Sequence, residues 1–270
     1  RGRATSTPLG HHTDSTPWFW AGSASARPER DSHAPDESMP VSKPVSRRLL
    51  LAAAAALGAG LTGASAQSYG QRVAVTGDDG RAVANSILPG EITGQIPGLR
   101  GVTYVGPRDA GTTLYEFFDF NCPYCRKAAA DVVALHDSDP ELRIGLVHNP
   151  ILSPQSAQAA KVMLAVQRKL GSEAAWRFYQ TLLGKPGRID GPGALTAAAA
   201  LGIPQAEVEA IADSEEVRAA LKSQMRMAAD LGLYATPSYV LGNSGILGHP
   251  GAGAMAKMIA SVRRCDRLAC

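Results

Sequence analysis

Glu116-Phe117-Phe118-Asp119-Phe120-Asn121-Cys122-Pro123-Tyr124-Cys125 is the stretch on which the reading of this chain turns. Thr112 to Phe118 is a run of β-branched and aromatic residues bounded by Gly111 and Asn121, which predicts a central strand buried on both faces. After the cysteines, Ala128, Val132, Val133 and Leu135 supply one apolar face of a helix running to about His136. Cys122 and Cys125 thus stand where a strand hands over to a helix. A cysteine at a helix N-terminus faces unsatisfied amides and the positive end of the helix dipole, both of which stabilise a thiolate. Cys122 is therefore read as a nucleophile, ionised and reachable near neutral pH at an exposed helix start. Pro123 in the first turn removes no helix hydrogen bond, and Cys125, three residues on, is placed to attack a mixed disulfide at Cys122 as the resolving thiol. The plain alternative is that the two form an inert bridge.

Outward from this point the pattern continues. Val102 to Val105 carries a strand signal on the N-terminal side, and Leu142 to Val147 reads as the next strand after the turn Ser138-Asp139-Pro140. Strand, helix and strand make a βαβ unit with parallel strands and a right-handed crossover. From about 154 to 233 the periodicity is helical: Ser156 to Leu170, Glu173 to Leu183, Ala194 to Leu201, Gln205 to Ile211 and Glu215 to Leu231, with Gly171, Gly184, Gly202 and Gly232 as stops. Strand character returns at Ser238 to Leu241, Gly242-Asn243-Ser244-Gly245 reads as a hairpin turn, and Ala252 to Arg264 closes as a helix. The order β-α-β, helical block, β-β-α predicts an α/β chain with a thioredoxin-like fold and a helical insertion, at about 152–233, between its two halves. The expected domain spans 101–264, preceded by an extension over 67–100 and followed by a tail over 265–270.

Three segments in this order carry a family resemblance. Residues 116–125, Asn149-Pro150-Ile151-Leu152-Ser153-Pro154 and Ala235-Thr236-Pro237-Ser238-Tyr239-Val240 resemble DsbA-like periplasmic thiol–disulfide oxidoreductases across about 101–264. A bare C-x-x-C also occurs in metal sites. One placed between strand and helix with a Thr-Pro far downstream is much more specific. The resemblance implies that Pro237 is a cis-proline opposite the cysteines, leaving the backbone of Thr236 free to pair with an extended substrate. It also departs from the strong oxidase of the family, which commonly has His at the position of Tyr124 and a residue other than Thr before the proline. The direction of electron flow is therefore open between oxidase and isomerase or reductase.

Glu116 is a carboxylate inside an apolar strand, six residues before Cys122. Desolvation there raises its pKa and fits it for relaying a proton to Cys125, a role the resemblance also implies. A strand-edge glutamate facing water is the alternative. The site set is thus Cys122, Cys125, Glu116, Pro123 and Tyr124, with Thr236 and Pro237 for substrate, and no metal or cofactor is expected. His136 and His148 lack ligand spacing with either cysteine pair, and Met163, Met225, Met227, Met255 and Met258 fall on helical segments as core residues. Cys265 and Cys270 read as a structural staple once the last helix ends, with a second redox pair as the alternative.

Composition bounds the rest. The chain has 270 residues, 45% hydrophobic and 19% charged, enough for one good-sized core. The net charge of +3 comes mostly from the first third: from Gln67 onward 20 Lys plus Arg face 19 Asp plus Glu. With few aromatics and no interleaved basic runs, no nucleic-acid partner is expected. Met39, then Lys43, Arg47 and Arg48, then the apolar run Leu49 to Thr62, then Ala64-Ser65-Ala66, have the order of a secretory signal peptide over 39–66. The run of 14 residues is short for a core about 30 Å thick, although a retained anchor is the alternative. Ser46-Arg47-Arg48-Leu49-Leu50 also resembles a twin-arginine signal, so Sec and twin-arginine export are both open, with the periplasm as destination. Residues 1–38, polar and without apolar periodicity, read as a disordered leader or an upstream translation artefact, and His11-His12 there as solvated.

The leading expectation is an exported enzyme that forms, reduces or shuffles disulfides in unfolded or misbridged secreted proteins, recharged by a membrane or periplasmic redox partner. The 67–98 segment has no heptad pattern for a stalk, so a monomer or weak dimer is expected. The competing class is a periplasmic soft-metal (copper) carrier or chaperone module using the same two sulfurs.

Overall fold

The computed structural model describes residues 70 and 72–270. The expected leader, the signal segment over 39–66 and His11-His12 lie outside the described residues. Six strands and eight α-helices follow in the order β1 (Ala84–Ile87), α1 (Gly90–Thr93), β2 (Thr103–Val105), β3 (Thr112–Phe118), α2 (Pro123–Ser138), β4 (Leu142–His148), α3 (Pro154–Leu170), α4 (Ser172–Gly184), α5 (Gly191–Ala199), α6 (Gln205–Ala212), α7 (Glu215–Asp230), β5 (Ser238–Leu241), β6 (Ser244–Leu247) and α8 (Ala252–Cys265). They form one sheet in the order β1-β6-β5-β3-β4-β2, in which only β3 and β4 run parallel. This is the α/β, thioredoxin-like architecture with its helical insertion.

Strand alternation divides the interior in two. Leu114 and Phe118 of β3, Ile144 and Leu146 of β4, and Tyr239 and Leu241 of β5 face the larger core, shared with α2, α8 and the insertion. Phe117, Val147 and Val240 face the smaller one, closed by Leu88, Ile96, Met227 and Leu231. Glu116 lies on the larger-core face, paired in register with Leu146 on one side and Tyr239 on the other.

Two boundaries differ from the sequence reading. Residues 67–100 were expected to be an extension, but β1 adds to the sheet edge beside β6, and Ile96 is completely buried. The pairing partner lies some 160 residues downstream, so no local signal marks β1 as a strand. The hairpin turn is also shorter than Gly242 to Gly245. Ser244 and Gly245 pair with Leu241 and Val240, and Gly242 at φ 58 makes the reversal that a side chain would resist. At the C-terminus, Asp266 at φ 55 ends α8 and turns the chain back. Cys265 and Cys270 are bridged there, and Leu268 is tucked into the core.

Candidate active site

The site is assembled at the turn between β3 and α2. Asp119, buried, accepts from the amides of Asn121 (2.7 Å) and Leu152 (3.0 Å), which folds 119–122 into a tight turn and draws the 149–153 loop beside it. The Asn121 side chain bonds both backbone groups of Ile189, accepting from its N–H (2.7 Å) and donating to its carbonyl (2.8 Å), and also donates to Ser156. Arg126 donates to the carbonyls of Lys185 and Gly187. The turn that presents the first cysteine is thereby tied to the helical insertion.

Cys122 is the N-cap of α2, its sulfur accepting from the Cys125 amide at 3.4 Å, and Pro123 is the first helical residue. Both cysteines are free thiols. The Cys122 pKa is lowered to about 6, chiefly because the Cys125 thiol donates to it; the Thr236 side chain and the amides of Cys125 and Tyr124 add to this, and together they outweigh burial. The Thr236 carbonyl sits 3.0 Å from the sulfur and can accept only from the protonated thiol, so ionisation gives up that contact. Cys125, fully buried, is pushed far upward by desolvation first, then by its bond to Cys122 and the charge of Glu116. The exposed helix start expected for Cys122 is corrected: the residue is only 3% exposed, because the Ala235-Thr236-Pro237 segment lies across it. Tyr124 beside it is 65% exposed. The Thr236–Pro237 peptide bond is cis.

Glu116 does not face water. It is completely buried, its Oε2 accepts from the Tyr179 hydroxyl of α4 at 2.7 Å, and its Oε1 has no hydrogen-bond partner among the described residues. Burial pushes its carboxyl up to about 8, against the lowering effect of the Tyr179 bond. It is therefore poised to hold or release a proton next to Cys125 near neutral pH.

Cys122, Pro123, Tyr124, Cys125, Glu116, Thr236 and Pro237 are thus gathered in one place. The sequence reading missed Asp119, Asn121 and Tyr179, each a polar residue whose partner lies far along the chain or on another element. An aspartate and an asparagine just before the cysteines were the available signal, since both residue types build turns through backbone hydrogen bonds. His136 lies against Trp176 at the surface side of α2. His148 is buried between Phe118 and Phe120. Among the described residues no group of three or more His, Cys, Asp or Glu comes together as a metal site.

Among solved structures, a thioredoxin-like oxidoreductase from Silicibacter pomeroyi DSS-3 is 31% identical, with 62% of this chain and 94% of that chain covered at a TM-score of 0.58. The catalytic domain of Proteus mirabilis ScsC (20% identity, 63% and 94% covered, TM-score 0.56) and the thiol-disulfide exchange protein alpha-DsbA2 from Wolbachia pipientis (20%, 64% and 94%, TM-score 0.58) share the fold. No curated protein matches the chain. The family model described as the DSBA-like thioredoxin domain matches residues 113–260, from the strand carrying Glu116 through most of the last helix. Over more than half its length, then, the chain belongs to the DSBA-like thioredoxin-domain family, and it is a thiol–disulfide oxidoreductase.

Proposed function

We propose that this chain is an exported enzyme that exchanges disulfides with extended segments of secreted proteins through Cys122-Pro123-Tyr124-Cys125. The observation that carries this reading is the Cys122 sulfur, held at a helix N-terminus with its pKa lowered to about 6 while Cys125 three residues on is strongly raised. At pH 7 such a thiol is about nine-tenths ionised. The Cys122 thiolate attacks a client disulfide and one client sulfur leaves. Where Glu116 is ionised, Cys125 then gives its proton to that carboxylate and attacks Cys122, forming the Cys122–Cys125 bond and releasing the second client sulfur. Two electrons pass to the client, and the same steps reversed oxidise it. Lowering the Cys122 pKa stabilises the thiolate of the reduced enzyme at neutral pH and so shifts the couple toward an oxidant.

The surroundings suit unfolded clients. Of the five large apolar side chains left exposed among the described residues, Tyr124, Ile151, Leu152 and Tyr234 belong to the segments that meet at Cys122. Thr236 beside Pro237 offers backbone to an extended strand. The signal-like segment over 39–66 supports release to the periplasm as a chain starting at Gln67, working as a monomer or weak dimer with a membrane or periplasmic partner that resets it.

Insulin reduction by the chain from Gln67 onward tests the reading. Cys122→Ser is expected to abolish turnover, Cys125→Ser to accumulate mixed disulfides, and Glu116→Gln to flatten the pH dependence of resolution. Turnover that survives in Cys122→Ser would overthrow it.

A further inference from the structure

The borders of the Cys122 site differ in charge. The 149–153 loop and the 233–237 segment, which carry the exposed Ile151, Leu152 and Tyr234, contain no charged residue. Another border is made where the first turns of α2 meet the 185–190 loop of the helical insertion. That junction is fixed by hydrogen bonds: Arg126 donates to the carbonyls of Lys185 and Gly187, and Asn121, next to Cys122, bonds both backbone groups of Ile189, next to Arg188. It gathers four cations beside the reactive sulfur: Arg126, Lys127, Lys185 and Arg188.

Lys127, Lys185 and Arg188 are exposed and Arg126 is half-buried. The Lys127 Nζ lies 5.8 Å from the centre of the exposed Tyr124 ring. Among the described residues none of the four makes an ion pair. By contrast, Lys161, Arg168 and Lys169 on α3 are matched by Asp213, Glu216 and Glu207. The two carboxylates within the 119–127 and 185–190 segments are engaged with amides. Asp119 is buried and accepts from Asn121 and Leu152, and Asp190 caps α5 by accepting from the Gly193 N–H at 2.9 Å. Cations without counter-ions around a reactive group raise the local concentration of anions and speed their encounter. An anion that reacts at Cys122 must itself carry sulfur, which points to a protein segment rather than to a free phosphate or a nucleic acid.

We propose that Lys127, Lys185 and Arg188, with Arg126 behind them, form a cationic border that selects client segments bearing acidic residues beside the reacting cysteine. The acidic side chains of such a client lie over the 185–190 loop, while its apolar ones meet Ile151, Leu152 and Tyr234. The border acts on the encounter and not on the sulfur. The low pKa of Cys122 comes from the Cys125 thiol, the Thr236 side chain and the amides of the helix start, none of which belongs to these four side chains. The side chains of Lys185 and Arg188 also take no part in the tie to α2, which uses main-chain carbonyls, so replacing them leaves the active-site turn in place.

The border rests on the redox reading above, and one experiment separates their failures. The probes are three short peptides, each with one cysteine flanked by Asp, Ser or Lys and oxidised to its symmetric disulfide. Cys122 of the reduced protein attacks either sulfur, the peptide–peptide bond breaks, a Cys122–peptide bond forms and one peptide leaves as its thiolate. Each rate is divided by that of 2-mercaptoethanol on the same peptide, which removes the peptide's own reactivity. At low salt the Asp peptide is expected to react about tenfold faster than the Lys peptide, and the gap should close to about twofold in about 0.5 M salt. The double variant Lys185→Glu, Arg188→Glu should reverse the order and leave the rate with the Ser peptide unchanged. Equal wild-type rates for the three peptides, or the same order in the double variant, would overturn the border alone. So would a double variant slowed equally on all three, which is the mark of a structural role. Wild-type protein that attacks none of the peptides would bring down the redox reading, and the border with it.

Discussion

Cys122 and Cys125 share one turn of helix, and their pKa values move in opposite directions. One bond contributes to both: the Cys125 thiol donates to Cys122, which is the largest cause of the lowering at Cys122 and adds to the rise that burial chiefly causes at Cys125. Cys125→Ala removes that donor. The midpoint for alkylation of Cys122 is expected to rise from about 6 by about one unit or more, since this bond is the largest contribution to the lowering. Rates of iodoacetamide reaction across pH would check it, and an unchanged midpoint would assign the lowering to the helix-start amides and the Thr236 side chain instead. The cysteines, Pro123 and the buried carboxylate were all legible in ten consecutive residues, because strand, proline and helix start are local features. The proton on Glu116 was legible only in direction. Its partner Tyr179 lies 63 residues away on another helix.

At the level of elements, Asn121 is one of the ties between the active-site turn and the helical insertion, beside Arg126. Ile189 is 5% exposed, so Asn121→Ala would leave its buried N–H and carbonyl without partners. A loss of about 2–4 kcal/mol is expected from two such groups. Urea unfolding of the oxidised protein measures it, and a loss under about 0.5 kcal/mol would show that the junction relies on apolar packing instead. Asn121→Asp keeps the acceptor and loses the donor, and should fall between the two. Most helix limits were readable because their stops are local: Gly171, Gly202 and Gly232 all take positive φ at the ends of α3, α5 and α7. The strand β1 was not readable. A four-residue edge strand has its identity conferred by its neighbour rather than by its own composition.

The molecule as a whole carries a buried histidine into acid. His148 is 1% exposed, its Nε2 has no partner among the described residues, and burial lowers its pKa to about 3. The unfolded chain takes up a proton near 6.5 that the folded chain refuses, so stability is lost as pH falls from about 6.5 toward 3, by at most about 1.4 kcal/mol per unit. Glu116, shifted upward to about 8, has the opposite sign and costs stability as pH rises above its unfolded value. His148→Leu cancels only the first effect. Between pH 6.5 and 4.5 the variant is expected to gain up to about 3 kcal/mol relative to wild type, read from denaturation midpoints across pH. Parallel curves for the two proteins would contradict this. By itself the sequence determined the order of elements, the cysteine pair at a helix start and the helix stops, since hydrophobic period, proline and glycine act over a few residues. Only the tertiary structure decided how deeply Cys122 is covered, which hydroxyl holds Glu116, and that Lys185 and Arg188 border the site. Those contacts depend on strand register and helix packing between segments far apart in the chain, and no short-range preference encodes them.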